Sequence, residues 1–472
     1  MRRYDSFYAN GAFVRSEGAP AMPVVDPSTG CAIGEVVPSS PGNVNQAVQS
    51  ARTGFQVWSR STLEERSEAL TRLHAELLKR TDEAVSLLAR EMGCPVWLGQ
   101  LMQVPMALKG LEFARDGIQQ ITWTEQIGNG RVERVPSGVV AAITPWNFPL
   151  HQIVAKVAPA IAAGCSIILK PSEVSPGAAH VFMEAVHFAG LPPGVVNMVW
   201  GGPDVGDRLV RHPDVQHVSF TGSTAVGRRI MAAAAEDLKP VTLELGGKSA
   251  AVLLEDADLG TALAAVVRLS MANSGQACVS QSRLIAPRGL LEQVEGRLGA
   301  ALEPWPLGDP LDAGTRLGPV ASRSQQERVL AMIARAREQG ARPVAGAGKV
   351  PEKLSHGYYV PPTVFSGVRP DMEIAREEVF GPVLSVMVYD SEDEAVALAN
   401  ATRYGLSGAV WSADPVRAAA FARRMKTGQV VINGAAQNLA TPFGGWGWSG
   451  FGRENGRFGI EDLLQYRSLH GA

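Results

Sequence analysis

One cysteine, Cys278, stands in the stretch NSGQACVSQSR (residues 273–283), with Gly275, Ala277 and Ser280 as small neighbours. Small neighbours leave room for a second reactant to reach the sulfur, and a thiolate is a nucleophile, so this stretch could carry covalent chemistry on a carbonyl. A buried cysteine serving as a small hydrophobe is the ordinary alternative, and the stretch alone leaves both open. The other cysteines, Cys31, Cys94 and Cys165, are scattered without CxxC or CxxH spacing, which argues against a disulfide framework or a structural zinc site. They read as free thiols, with Cys165 in AAGCSIIL packing against a sheet. Three further motifs fail on inspection. LGGKSA (245–250) holds a GKS, but a phosphate loop needs a glycine where Thr242 stands. GWGWSG (445–450) matches GxGxxG with no hydrophobic strand leading in and no helix following. The eight histidines lack HExxH or paired ligand spacing, and His74, His180 and His187 fall in helical segments, so no metal is implied.

The elements that must position such a cysteine follow from periodicity. GVVAAITPW (138–146), SIILKPS (166–172), GVVNMVWG (194–201), VQHVSFTGS (215–223) and PVTLELGG (240–247) are short β-branched runs alternating with helical segments such as 175–190 and 223–238. Strand–helix alternation predicts a parallel, doubly wound sheet whose strand C-termini bind a ligand, a nucleotide first of all. Residues 44–120 are mostly helical by three- and four-residue apolar spacing. A second alternating region from about 248 to 430 predicts a second α/β domain. ITWTEQIGNGRVERVPSG (121–138) has hairpin character, with its NG step between two strand-like runs. IEDLLQYRSL near the C-terminus reads as a free strand or a frayed end.

Length and charge exclude several functions. A chain of 472 residues suggests two or three domains, and a formal charge of −2 without a basic stripe argues against nucleic-acid binding. The N-terminal residues lack the apolar core of a secretory signal, so a cytoplasmic protein is expected. The apolar stretch 153–170 is broken by Lys156, Pro159 and Gly164. It reads as a buried helix followed by a strand rather than a membrane span.

Seven blocks in order, TPWNFP (144–149), LKPSE (169–173), FTGST (220–224), LELGGKS (243–249), NSGQAC (273–278), EEVFGPV (377–383) and PFGG (442–445), resemble the aldehyde dehydrogenase superfamily over nearly the whole chain. The resemblance implies a Rossmann-like cofactor domain (1–120 and 139–246), an α/β catalytic domain (247–445) and a small β oligomerisation flap (121–138 and 460–472). It implies that Cys278 adds to the aldehyde to form a thiohemiacetal that is oxidised to a thioester. It further implies that Asn147 supplies an oxyanion donor beside the Cys278 backbone N–H and that Glu244 activates the hydrolytic water. For the cofactor it implies Lys170 and Glu173 at the adenosine ribose, Gly222 and Ser223 at the pyrophosphate, Glu378 and Phe380 at the nicotinamide ribose and ring, and Ile143, Pro145 and Trp146 along the path.

Where many members carry a bulky aromatic before the lysine that is Lys156 here, this chain has Ala155. A wider substrate tunnel is expected, shaped by Gln152, Ala155, His151 and the loop 433–443 ending in Phe443, favouring medium or aromatic aldehydes over small dicarboxylic semialdehydes. The reading is an enzyme oxidising an aldehyde to a free acid with NAD. NADP remains open because Lys170 sits beside Glu173. A homodimer or homotetramer is expected, with no nucleic-acid or membrane partner. The rivals are a coenzyme A-acylating semialdehyde dehydrogenase, against which Glu244 argues, and a non-catalytic protein of the same fold.

Overall fold

The β-branched runs of the middle of the chain become strands at Val139–Ile143, Ser166–Lys170, Val196–Met198, His217–Thr221 and Val241–Glu244 in a computed structural model, which describes residues 1–16 and 20–471. Each is fully buried, as continuous apolar strands of a parallel sheet covered on both faces must be. These five are mutually parallel. Strand 139–143 is central, and the chain moves to one side of it through 166–170 and 196–198 before crossing to the other through 217–221 and 241–244. The reversal leaves a crevice beyond the C-terminal ends of 139–143 and 217–221, the place where doubly wound sheets bind ligands.

Three edge strands lie outside the alternating run. Ser6–Ala9 and Ala12–Arg15 extend the sheet antiparallel on one side, and Gly450–Phe451, from the far end of the chain, pairs antiparallel with 241–244 on the other. The sheet therefore has eight strands. Helices Pro41–Trp58, Pro203–Arg211 and Thr224–Ala235 cover one face, and Leu63–Leu78, Thr81–Met92, Val104–Ile118, Pro149–Ala163 and Pro176–Ala189 pack on the other. The first two long helices begin with capping boxes at Ser40 and Thr62, which satisfy two orphan donors at each start.

The second alternating region forms a seven-stranded sheet, in chain order Ala250–Leu253, Arg283–Pro287, Arg342–Gly346, Thr363–Ser366, Val383–Tyr389, Ser407–Trp411 and Gln429–Ile432, parallel except at 342–346. A third, three-stranded sheet joins Thr124–Ile127, Gly130–Pro136 and Leu464–His470.

Two local expectations shift. The hairpin turn is Gly128–Asn129, with Ile127 opposite Gly130, one residue earlier than the NG step. Gly128 takes φ +59 at the first central position, which glycine accepts freely. The C-terminal strand starts at Leu464 and not at residue 460: Gly456–Glu461 is a helix, and Ile460 and Leu463 are buried in the core beneath the helical face. Ala472, the last residue of that expected segment, lies outside the described residues. Among the described residues no helix is long and apolar enough to cross a membrane. The stretch 153–170 is the buried helix Pro149–Ala163 followed by the strand Ser166–Lys170.

Candidate active site

Three connections bring the chemistry-bearing residues to the crevice. The turn between strand Val139–Ile143 and helix Pro149–Ala163 carries Pro145, Trp146 and Asn147. The turn after His217–Thr221 carries Gly222 and Ser223, and the irregular link between Ala272–Gly275 and Arg283–Pro287 carries Cys278. All six line one cleft of about 180 Å³ together with Glu378 and Phe380. Ile143, Lys170 and Glu173 line a neighbouring cavity of about 340 Å³ with Phe220, Val226 and Arg229.

The backbone around Cys278 is built by close approach. Asn273 and Ser274 are held at φ +54, and Gly275 follows at φ +72, a run of left-handed residues costly for side-chain-bearing types. A Cβ on Gly275 would lie 2.0 Å from the Gly381 carbonyl oxygen. Its smallness admits the EEVFGPV segment, not the approach of substrate to sulfur that its position beside the cysteine suggests. Gly246 leaves space for Glu378, whose Oε2 would meet a Cβ at 2.5 Å, while Gly247 N donates to Glu378 Oε1 at 2.9 Å. The LELGG block thus seats the EEVFG carboxylate.

Asn147 is buried, and its Nδ2 donates to the Gln276 carbonyl at 3.0 Å, leaving its second N–H uncommitted among the described residues. Glu244 ends strand Val241–Glu244 and is 1 % exposed. Neither of its carboxylate oxygens has a hydrogen-bond partner among the described residues. Burial raises its pKa well above the usual carboxylate range; the Glu454 charge adds to the rise, and Lys156 and Arg453 oppose it. Glu244 itself does not line the cleft, but Leu245 and Gly246 beside it do. Burial also pushes the Cys278 thiol up, with the Glu378 and Glu244 charges acting the same way, so the resting sulfur is a thiol that must lose its proton to react.

At the cofactor end, Ser223 caps helix Thr224–Ala235, its Oγ accepting from Val226 N at 3.4 Å. That uses the hydroxyl oxygen for the helix and leaves the helix N-terminus toward the cleft as the anion-attracting feature. Lys170 Nζ donates to the Pro171 and Gly201 carbonyls at 2.9 and 2.5 Å and stands 3.6 Å from Glu173. Phe380 is held at φ +56, its carbonyl accepting from Gln325 Nε2 at 2.7 Å, and its ring meets Trp146 edge-on at 5.6 Å. A carboxylate in one cavity, a helix N-terminus between, and an aromatic pair beside the sulfur are a donor set that suits a dinucleotide.

Gln152, Ala155 and Phe443 line neither cavity. Gln152 and Ala155 are buried on helix Pro149–Ala163, while half-buried Phe443 exchanges both main-chain hydrogen bonds with Glu454. Glu454 is in turn ion-paired with Lys156, both side chains buried. Reading the sequence passed over this pair, and the one signal for it was a charge in an otherwise apolar helix. Gln325 and Arg328 were also passed over: both line the cleft from helix Arg323–Glu338, whose composition is that of an ordinary charged surface helix.

The Aldehyde dehydrogenase family model matches residues 13–469. The chain is 43 % identical over 473 residues to 3-succinoylsemialdehyde-pyridine dehydrogenase from a Pseudomonas species, covering 100 % of this chain and 99 % of that protein. Its structure is similar to a variant of aldehyde dehydrogenase C from Pseudomonas syringae in complex with NAD+ and octanal, with TM-score 0.97 and 42 % identity, covering 99 % of this chain and 96 % of that one. It is equally similar to a Mycobacterium tuberculosis aldehyde dehydrogenase in complex with NAD+, with TM-score 0.97 and 39 % identity over 99 % and 98 % of the two chains. The chain belongs to the aldehyde dehydrogenase family. It is an NAD-dependent enzyme that oxidises aldehydes to carboxylic acids.

Proposed function

We propose that the enzyme converts medium-chain or aromatic aldehydes to free acids, with Cys278 as nucleophile, Asn147 as oxyanion donor and Glu244 as the base for hydrolysis. The observation that carries this reading is Glu244: a buried carboxylate with no hydrogen-bond partner among the described residues and a raised pKa, adjoining the cleft that holds the sulfur. A carboxylate whose pKa is raised is a stronger base toward water than an ordinary one. The Cys278 thiolate adds to the aldehyde carbon, and the oxygen gains negative charge facing the free Asn147 N–H and the Cys278 backbone N–H. NAD, when bound, would supply the acceptor for the hydride whose loss turns this adduct into a thioester. Glu244 then deprotonates a water, which attacks the thioester carbonyl and releases the acid and the thiolate.

Lys170 and Glu173 would hold the adenosine ribose, the Gly222–Ser223 turn the pyrophosphate, and Glu378 with Phe380 the nicotinamide side, along walls formed by Ile143, Pro145 and Trp146. Glu173 would disfavour a 2′-phosphate and so NADP. An octanal complex in one relative and a pyridine-bearing semialdehyde in the name of another support an apolar or aromatic substrate. By domain, residues 1–120 and 139–246 would bind cofactor and 247–445 carry the nucleophile. The sheet built from 121–138 and the C-terminal strand would join copies into a dimer or tetramer. The deciding experiment is product analysis with octanal and benzaldehyde, with and without coenzyme A. Free acid at an undiminished rate without coenzyme A is expected, and an acyl-coenzyme A product with an absolute need for the thiol would overturn the hydrolytic reading.

A further inference from the structure

The residue that would receive the oxyanion is itself held, and the holder comes from an unusual turn. Between helices Val96–Leu98 and Val104–Ile118 the chain makes a π-helical turn at Gly99–Gln103. A π-turn inserts one residue into the helical ladder, and such turns recur at functional sites. One extra residue re-aims the side chains that follow by about 100° relative to the preceding α-helix. The last residue of that turn, Gln103, is completely buried, and its Nε2 donates to the Asn147 main-chain carbonyl at 3.2 Å. Asn273 Nδ2, from the left-handed run before Cys278, donates to the same oxygen at 2.9 Å.

Gln103 is an expensive way to fill this space. Its Oε1 has no hydrogen-bond partner among the described residues, and the other groups near its Nε2 are sulfurs, Cys94 Sγ at 3.4 Å and Met92 Sδ at 3.8 Å. A buried amide left half-unsatisfied is destabilising relative to an apolar side chain of the same shape. Stability therefore does not account for it, and its one bond to oxygen is to Asn147.

We infer that Gln103 is a positioning residue of the oxyanion hole. Together with Asn273 it clamps the Asn147 carbonyl. The Asn147 side chain is tied to Gln276 O, so the clamp fixes where the remaining Nδ2–H points. This rests on the reading of Asn147 as the oxyanion donor.

An activated ester, p-nitrophenyl acetate, tests it without cofactor. The Cys278 thiolate attacks the ester carbonyl, the oxygen becomes an oxyanion, and nitrophenolate leaves as the acyl–sulfur bond remains. Loss of one oxyanion donor typically costs about 10²–10³-fold, so Asn147→Ala should slow the nitrophenolate burst on that scale. Gln103→Met, which keeps the volume and removes the donor, should slow it about 10-fold. Alkylation of Cys278 by iodoacetamide, which develops no oxyanion, should stay within about twofold, as should NAD affinity. The separating measurement is the double variant. On the Asn147→Ala background Gln103→Met should have no further effect, because it acts only through that residue. A slowing that persists on that background, or a Gln103→Met burst equal to wild type while Asn147→Ala is slow, overturns the inference and leaves the role of Asn147 intact. An unimpaired Asn147→Ala overturns the oxyanion reading and this inference with it. Should Gln103→Met fail to fold, Gln103→Glu replaces it: a protonated carboxyl can donate to the Asn147 carbonyl and a carboxylate cannot. Its burst should therefore fall relative to wild type as pH rises, and a constant ratio across pH would count against the clamp.

Discussion

Glu244 links the two halves of the chemistry through its protonation. A carboxyl whose pKa is raised by burial is protonated at low pH and becomes a base only as pH climbs through that raised value. Hydrolysis of the acyl-enzyme should lose rate as pH falls through it. Glu244→Gln keeps the shape and removes the base. Mixed with NAD and aldehyde, that variant should give a burst of about one NADH per site, followed by a steady rate lower by about 10²–10⁴-fold, with the acyl group on Cys278 visible by intact mass. Its steady rate should no longer carry the acid limb that Glu244 imposes on the wild type. The same shift bears on stability. Folding holds this proton more tightly than the unfolded chain does, so the wild type loses stability as pH rises from the unfolded carboxyl value toward the folded one. Thermal melts should show the Gln variant gaining on the wild type at pH 9 relative to pH 5, and an unchanged difference would mean that the carboxylate is solvated in the folded state.

At the level of elements, helix Pro149–Ala163 is tied to the C-terminal segment by the buried Lys156–Glu454 pair. Removing one member of a buried ion pair strands the other charge and typically costs about 3–5 kcal/mol, whereas replacing both by apolar residues can be neutral. Lys156→Met should destabilise by that order in denaturant melts, and Lys156→Met with Glu454→Leu should recover most of it. A double variant as unstable as the single one would mean that the two act separately. This tie also marks where sequence stops speaking. Strands 139–143, 166–170, 217–221 and 241–244 were legible because each is a β-branched run bounded by Gly, Pro or Ser, and the blocks at their ends located Asn147, Glu173, Ser223 and Glu244. The strands before residue 37 were not. They are three to six residues long and gain their stability from distant partners, as where Tyr8 pairs with Met198. The π-turn at 99–103 was equally hidden, since a turn of five residues is too short to reveal the phase shift it introduces into the apolar period. Gln103 therefore reads as an ordinary helical polar residue until its hydrogen bond to Asn147 is seen.

For the whole molecule, the exposed sheet of Thr124–Ile127, Gly130–Pro136 and Leu464–His470 is the feature that asks for a partner. Its outer strands leave edge groups unpaired, and Ile127 and Tyr466 are exposed at 60 % and 72 %, the condition under which sheets extend or pack against another copy. Deleting residues 464–472 would strip the strand from Gly130–Pro136. If this sheet joins copies as proposed, sedimentation velocity should then report a smaller species than the intact chain, and an unchanged sedimentation coefficient would count against that role for the sheet.

The antiparallel strand Gly450–Phe451 pairs with Val241–Glu244, and the carboxylate of Glu454 neutralises Lys156 on helix Pro149–Ala163, both made far earlier in the chain. Protein synthesis is vectorial, and Glu454 follows Lys156 by 298 residues. At about 5–20 residues per second, the lysine waits roughly 15–60 s on the ribosome before its counter-ion is made. Until then residues 1–244 carry an open sheet edge beside Val241–Glu244 and a lone ammonium in an apolar helix. A chain stalled near residue 430 should accordingly remain sensitive to protease in its first half, although every residue of the central parallel strands has already been translated.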